Sequence, residues 1–150
     1  MIEIYTDGSA QPNPGKGGYG IVLISGDYRK ELSQGFIKST NNRMELLGAI
    51  VGLEALKIKN SLVTLTTDSK YVVDAVNKGW IYNWEKKNFK GRINSDLWRR
   101  FLPLLSEHNI TFSWVKGHNN HIENEQCDKL AVQAAQSDNL IKDEGYLKLH

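Results

Sequence analysis

Residues 31–57, ELSQGFIKSTNNRMELLGAIVGLEALK, contain the change of periodicity that decides the fold class. As far as Lys38, apolar and polar residues alternate, which is typical of a half-buried strand. Over residues 43–57 the apolar side chains recur at intervals of three and four, which predicts a helix with one broad apolar face. The polar residues 40–42 between these segments are good helix N-caps. A strand therefore leads directly into a helix at this point.

The rest of the chain continues this alternation of strands and helices. We predict strands at 2–7, 18–25, 31–38, 62–67 and 110–115, and helices at 43–57, 70–78, around Trp80, at 96–105 and at 123–136. Pro103 should bend or shorten the fourth helix, because proline lacks a backbone donor. This order predicts an α/β fold with one five-stranded mixed sheet, an antiparallel meander plus parallel strands, and helices on both faces. Residues 137–150 are a polar tail to which no structure is assigned.

Length and composition restrict the class of protein. The chain has 150 residues, of which 40% are hydrophobic and 24% charged, and domains most often contain about 100 to 150 residues. We therefore expect residues 1–150 to form a single domain that acts as a monomer. Its apolar runs fall short of the roughly 20 residues that cross a bilayer. No secretory signal is visible, and Cys127, the one cysteine, cannot form an intramolecular disulfide. These features predict a cytoplasmic protein that does not bind membranes.

The net charge of +2 is unevenly distributed. Residues 78–100, named the basic segment below, contain seven basic and two acidic side chains, so the remaining 127 residues carry a net charge of −3. The segment also contains five of the 14 aromatic residues. Basic side chains interleaved with aromatic ones are typical of surfaces that bind a phosphate backbone. A solvated helix–loop–helix with its aromatic residues in the core fits this segment equally well.

Four acidic side chains are expected at one edge of the predicted sheet, the acidic edge. With right-handed crossovers, the first, third, fourth and fifth strands all end at that edge, where open α/β sheets bind ligands. Asp7 ends the first strand, Asp68 follows the fourth, Glu45 begins the first helix and Asp128 lies on the last. Such a cluster needs a cation, and two Mg²⁺ ions about 3.5–4 Å apart can clamp the reacting oxygens of a phosphodiester. His118, in the loop after the fifth strand, could move protons near neutral pH.

Each of these residues also has a purely structural interpretation. Asp68 could be a helix N-cap, Glu45 could complete a capping box with Asn42, and Asp7 could be a turn residue. A lone loop histidine such as His118 is usually a surface residue. Asp128 is harder to explain in this way, because aspartate is a poor residue inside a helix.

Two further patterns suggest a dinucleotide site and a zinc site, but neither is supported by its context. Residues 15–20, GKGGYG, match the dinucleotide fingerprint G-x-G-x-x-G, but they lead into an extended run rather than a helix, and we interpret them as a turn. His118, His121 and Cys127 do not have the spacing of a familiar zinc site.

Five motifs, in this order, resemble those of bacterial type 1 ribonuclease H. They are YTDGS at 5–9, NPG with GGYG at 13–20, TNNRMEL at 40–46, TDSKYV at 67–72, and WVKGH through ENEQCD at 114–128. The match covers about residues 2 to 135. The resemblance implies a ribonuclease H-like fold and endonucleolytic hydrolysis of the RNA strand of an RNA–DNA hybrid, leaving 5′-phosphate and 3′-hydroxyl ends. It also implies Mg²⁺, with Mn²⁺ as an alternative, and two ions per active site when substrate is bound.

The resemblance also assigns roles, position by position. Asp7, Glu45, Asp68 and Asp128 would be metal ligands, with Asp7 shared between the ions, His118 would assist proton transfer or product release, and Glu125 would be an accessory acid near the second metal. Gly8, Ser9, Asn13, Asn41, Asn42 and Glu45 would line the RNA groove, and Thr40, Asn83 and Lys38 the phosphate pocket for the DNA strand. The basic segment would be the hybrid-gripping protrusion, with Trp80, Trp84, Lys86, Lys87 and Lys90 as contacts. This protrusion is short here, so we expect weaker or more salt-sensitive hybrid binding. The alternative functions are a nuclease of the same fold with another substrate, and a non-catalytic hybrid-binding module.

Overall fold

The computed structural model describes residues 1–117 and 121–149 of the chain. In these residues the strands are β1 (Ile2–Gln11), β2 (Gly15–Ser25), β3 (Tyr28–Ser39), β4 (Leu62–Thr67), β5 (Asn109–Trp114) and β6 (Leu140–Ile141). The helices are α1 (Asn41–Glu54), α2 (Lys70–Asn77), α3 (Trp80–Lys86), α4 (Ser95–Glu107), α5 (Ile122–Gln136) and α6 (Glu144–Leu149). None of the helices in this described part is long and apolar enough to cross a bilayer.

The strands form one mixed sheet in the order β5–β4–β1–β2–β3–β6. The first three strands are an antiparallel meander, β4 runs parallel to β1, and β5 runs parallel to β4. These pairings confirm the predicted α/β class, the meander and the parallel crossovers. The predicted number of five strands is wrong, because residues 140–141 form a short sixth strand parallel to β3.

Helices cover both faces of the sheet, as predicted, and α5 lies unusually close to it. A side chain at Gly20 would collide with the carbonyl oxygen of Cys127, and one at Gly18 with that of Ala131. The glycine-rich run at 15–20 therefore belongs to β2 and allows the α5 backbone to approach, so its interpretation as a turn is wrong. This contact sets the height of α5 above the sheet, and with it the position of Asp128.

The C-terminal tail, for which the sequence predicts no structure, is fastened to α1 by a buried ion pair. Asp143 accepts hydrogen bonds from Nε and Nη2 of Arg43, both at 2.8 Å, and from Oγ of Ser39 at 2.6 Å. Arg43, only 2% exposed, also donates to Asp96 at 2.8 and 2.9 Å and to Asn94 at 3.1 Å. We name these five residues the Arg43 cluster. Because Arg43 and Asp143 are 100 positions apart, no local pattern could predict their pairing.

Helix α4 continues through Pro103 to Glu107. Of the two predicted effects of Pro103, a bend or a shortening, the shortening is wrong, because buried residues on both sides of the proline, including Trp98 and Leu104, anchor the helix to the core. Trp98 is fully buried, and its ring lies 5.9 Å from that of Phe101.

Candidate active site

The acidic edge gathers carboxylates from two neighbouring strands and two helices. Thr6 of β1 is paired with Thr67 of β4, so Asp7 and Asp68, the next residue of each segment, lie side by side. Asp7 is inside β1 rather than at its end, because the strand continues to Gln11. Asp128 on α5 lies within hydrogen-bonding reach of the Asp7 carboxyl.

Asp7 lies in the least favourable environment for a negative charge. Asp7 is only 8% exposed. Burial and the neighbouring charge of Asp68 raise its pKa well above the usual range, and Asp128 adds to this rise. The N–H of Gly8, which donates to Oδ1 of Asp7 at 2.9 Å, acts in the opposite direction. Because burial and like charges destabilise the ionised form of Asp7, a positive charge at this point would stabilise it.

Glu45 is brought to the same edge by the close approach of α1 and β1. A side chain at Gly8 would collide with the backbone of Met44 and Glu45, so glycine is needed there. The pKa of Glu45 is raised to about 7, chiefly by burial; a hydrogen bond with Ser69 opposes this rise, and the charge of Asp68 adds to it. Glu45 thus lies within electrostatic reach of Asp68.

The purely structural interpretations of three carboxylates are wrong. Thr40, not Asn42, is the N-cap of α1, and its Oγ1 accepts from the N–H of Arg43 at 3.2 Å. Ser69, not Asp68, is the N-cap of α2. Asp7 lies within a strand and not in a turn. Capping and turn formation therefore do not account for these three acids.

The donor set of the acidic edge fits a hard divalent cation. Carboxylate oxygens are the ligands that Mg²⁺ and Mn²⁺ accept most readily. In residues 1–117 and 121–149, no three His, Cys, Asp or Glu side chains already enclose a point where an ion would sit. Asp7 and Asp128 instead lie within hydrogen-bonding reach of each other. A cation bound between them would have to displace this contact.

His118 lies outside the described residues. Gly117, just before it, is placed so that a side chain there would come within 2.8 Å of Oδ2 of Asp68. Gly117 therefore lies next to the carboxylate of Asp68 at the acidic edge. Glu125 is exposed in the first turn of α5, three residues before Asp128.

Comparison with known proteins decides the family. The family model described as RNase H matches residues 1–136. The curated Ribonuclease H of Rippkaea orientalis is 57% identical over 150 residues, which cover 97% of this chain and 91% of that protein. The chain belongs to the ribonuclease H family. The identification of the five motifs is thereby confirmed, and with it the prediction that the chain is a hydrolase of this family. Ribonuclease H enzymes generally depend on divalent metal ions.

Solved ribonuclease H structures share the fold. A type 1 RNase H with the type 2 active-site motif is 29% identical and aligns with a TM-score of 0.80 over 99% of this chain and 79% of its own. A ribonuclease H1 crystallised in complex with an RNA/DNA hybrid aligns with a TM-score of 0.72 over 91% of this chain and 97% of its own. Its 23% identity supports a shared fold alone.

Two of the residues assigned to the RNA groove by the ribonuclease H resemblance, Asn13 and Asn41, are linked by a hydrogen bond. Oδ1 of Asn41 accepts from the N–H of Ala10 at 2.7 Å, and Oδ1 of Asn13 accepts from the N–H of Asn41 at 3.1 Å. Asn41 therefore joins β1, the turn at 12–14 and the start of α1. Ser9 is half-buried on β1, and Asn42 is exposed beside Asn41.

The aromatic residues of the basic segment differ in their burial. The ring of Trp84 lies 5.1 Å from that of buried Trp98 and packs against the core. Trp80 is 42% exposed, with Nζ of Lys78 5.2 Å from its ring centroid. Asn42, Trp80 and Trp84 line one groove, so one of the residues assigned to the RNA groove lies beside the basic segment.

Only part of the positive charge of the basic segment is free to bind phosphate. Arg100 pairs with Glu54, with Nη2 and Oε1 at 2.5 Å. Within the described ranges, no ion pair involves the exposed residues Lys86, Lys87 and Lys90. Asn83 and Lys38 are also exposed, whereas the hydroxyl of Thr40 is engaged as the α1 cap.

Reasoning from the sequence missed the contact between Ser69 and Glu45, and it missed the Arg43 cluster. A serine directly after Asp68, at the start of a helix, was a usable signal for a group that contacts the neighbouring carboxylates. An arginine at the head of the apolar run 44–53 was a usable signal for a buried ion pair, although not for its partner.

Proposed function

We propose that this chain hydrolyses the RNA strand of RNA–DNA hybrids endonucleolytically, using two divalent ions at the acidic edge. The ions are Mg²⁺ or Mn²⁺, and the products carry 5′-phosphate and 3′-hydroxyl ends. The observation that carries the proposal is the position of buried Asp7 beside Asp68 and Asp128, where burial and like charges raise its pKa. This requirement for positive charge matches the metal dependence of the family.

The four carboxylates would hold the ions, with Asp7 shared between them. When bound, divalent ions supply an activated water and neutralise charge on the attacking and leaving oxygens. The two strand-borne acids, Asp7 and Asp68, are fixed by the ladder between β1 and β4. Glu45 and Asp128 approach on helices whose distances from the sheet are set by glycines. His118 would assist proton transfer or product release, and Glu125 would act as an accessory acid.

Discrimination of RNA from DNA requires contacts to the 2′-hydroxyl, which both donates and accepts hydrogen bonds. Gly8, Ser9, Asn13, Asn41, Asn42 and Glu45 would supply these contacts along the RNA groove. The linked positions of Asn13 and Asn41 support this role, because their hydrogen bonds hold the amide groups in fixed orientations.

The DNA strand would lie on the basic segment. Trp80 and Trp84 would contact its sugars and bases, the free cations Lys86, Lys87 and Lys90 its backbone, and Thr40, Asn83 and Lys38 a phosphate. Because these cations are exposed, hybrid binding should weaken as salt increases. We further infer that residues 1–150 act as one domain, as a monomer and in the cytoplasm.

The decisive experiment replaces Asp7 by asparagine. Asp7→Asn should reduce cleavage of the RNA strand of a labelled hybrid by at least about a thousandfold, because one acid fewer remains to hold both ions. Hybrid affinity, measured by fluorescence anisotropy, should stay close to that of the wild type. Glu3→Gln, which removes an exposed carboxylate from the same strand, should cleave normally.

Cleavage retained by Asp7→Asn would contradict the proposal. A Mg²⁺ titration with hybrid, RNA duplex and DNA duplex distinguishes the alternatives. A cut in duplex DNA or duplex RNA would indicate a nuclease of the same fold with another substrate. Hybrid binding without cleavage at any Mg²⁺ concentration would indicate a binding module.

A further inference from the structure

Trp114, the last residue of β5, reaches across to the end of the neighbouring strand. Its indole Nε1 donates a hydrogen bond to the backbone carbonyl oxygen of Asp68 at 2.9 Å. The residue is 42% exposed, and Nζ of Lys70 lies 4.7 Å from its ring centroid. Trp114 is therefore not a core residue, and packing alone does not explain a tryptophan at this position.

The hydrogen bond from Trp114 completes the fixation of one peptide group. The carbonyl of the Asp68–Ser69 peptide accepts from Trp114, and its N–H donates to Oγ1 of Thr67 at 3.2 Å. The N–H of Val115 also bonds to the carbonyl of Thr67 at 3.0 Å. The end of β5 thus holds the backbone of Thr67 and Asp68, and with it the position of the Asp68 carboxylate.

The same peptide also supports the contact to Glu45. The hydroxyl of Ser69 caps α2 by accepting from the N–H of Val72 at 3.2 Å, and it is hydrogen-bonded to Glu45. Any rotation of the Asp68–Ser69 peptide would therefore move Asp68 and disturb Glu45 together. Mutual repulsion of the carboxylates favours such a movement when no cation is bound.

We propose that Trp114 is a positioning residue for divalent ions, whose indole N–H holds the Asp68 backbone at the acidic edge against repulsion from Asp7. The inference rests on the metal-dependent function proposed above. It differs from a role for the exposed ring in stacking on nucleic acid, which would affect hybrid binding rather than ion binding. Loss of supporting hydrogen bonds around metal ligands typically weakens ion affinity.

The test removes the N–H and retains an aromatic ring over Lys70. For Trp114→Phe, the dissociation constant of Mg²⁺, measured without hybrid by isothermal titration calorimetry, should rise roughly three- to tenfold, as expected for one neutral hydrogen bond. The kcat should fall by a similar factor, and the KM for hybrid should stay unchanged. Trp80→Phe is the matched comparison, because Trp80 is equally exposed and also lies beside a lysine. It should raise the KM and leave Mg²⁺ binding unchanged.

Two results would overturn the proposal: an unchanged Mg²⁺ constant in Trp114→Phe, or an increase in the KM alone. If Trp114→Phe folds poorly, 3-benzothienylalanine at position 114 replaces the N–H by sulfur at constant ring size, and it must weaken Mg²⁺ binding in the same way. Failure of the wild type to bind Mg²⁺ or to cleave hybrid would instead contradict the proposed function.

Discussion

Two groups of carboxylates lie around the start of α1, each with one buried member, Asp143 or Asp7, and they differ in whether the protein itself supplies a cation. In the Arg43 cluster, hydrogen bonds from Arg43 lower the pKa of Asp96. Burial alone would raise the pKa of Asp143, but hydrogen bonds from Arg43 and Ser39 lower it. At the acidic edge, burial and like charges raise the pKa of Asp7 and Glu45.

This difference shows how the same side chains become structural in one place and reactive in another. Arg43 and Glu45 are two positions apart at the start of α1. Arg43 is the internal cation of the Arg43 cluster, whereas no basic side chain contributes to the pKa shift of Glu45. A carboxylate whose charge is satisfied inside the protein stabilises the fold. A carboxylate with a raised pKa marks a place where an external cation gains binding free energy.

The largest effect should follow from breaking the cluster that has its own cation. Arg43→Met should lower the free energy of unfolding by about 3–5 kcal/mol, because it leaves the buried carboxylate of Asp143 without its partner. Urea unfolding at pH 7 measures this loss. A loss below about 1 kcal/mol would show that the cluster is not a structural counterpart of the acidic edge.

An opposite and smaller effect is expected at the acidic edge. Without metal, Glu45→Gln should raise the free energy of unfolding at pH 8 by on the order of 2 kcal/mol. The pKa of Glu45 is about 7 in the folded protein and about 4.3 in an unfolded chain. The folded state therefore binds more protons between these values, and the wild type loses stability as the pH rises through this window.

Urea unfolding in EDTA at pH 4, 6 and 8 measures the pH dependence of the Glu45→Gln difference, which should approach zero at pH 4. Added Mg²⁺ at pH 8 should stabilise the wild type more than the variant, because ligand binding to the folded state adds stability by mass action. A difference that is independent of pH would show that ionisation of Glu45 is not its cause.

The smallest effect is expected for an ion pair at the surface. Arg100 and Glu54 are 45% and 35% exposed in their side chains, so Arg100→Met should cost less than about 1 kcal/mol, and salt should reduce this cost further. Unfolding in 0.1 M and 1 M NaCl measures both. A loss similar to that of Arg43→Met would mean that charge removal, and not burial of the unpaired partner, controls stability.

Local sequence patterns predicted the elements whose apolar residues recur at regular intervals along one face. The alternation along the meander and the apolar face of α1 are of this kind. The tail was not predictable, because Asp143 is held by Arg43 from a distant part of the chain. The run at 15–20 was misread because glycine serves both turns and close approaches.

For the candidate site, residue type and motif order predicted a set of four carboxylates, and their placement at one edge follows from strand direction. Their supports were not predictable. Ser69 contacts Glu45, which lies on a different helix, and the hydrogen bond from Trp114 to the carbonyl of Asp68 depends on the register between β4 and β5. Such contacts leave no periodic trace in a sequence.

The close approach of α5 to β2 has a mechanical consequence for the acidic edge. Side chains in a core can change rotamer when a neighbour changes, but two backbones in contact have no such freedom. The distance from Asp128 to Asp7 and Asp68 is therefore set by a contact between two backbones, which cannot relax by a change of rotamer. Gly18 and Gly20, which have no side chains, therefore determine how far Asp128 lies from the acids near β1 and β4. Neither glycine has a group that could contact a metal or a nucleotide.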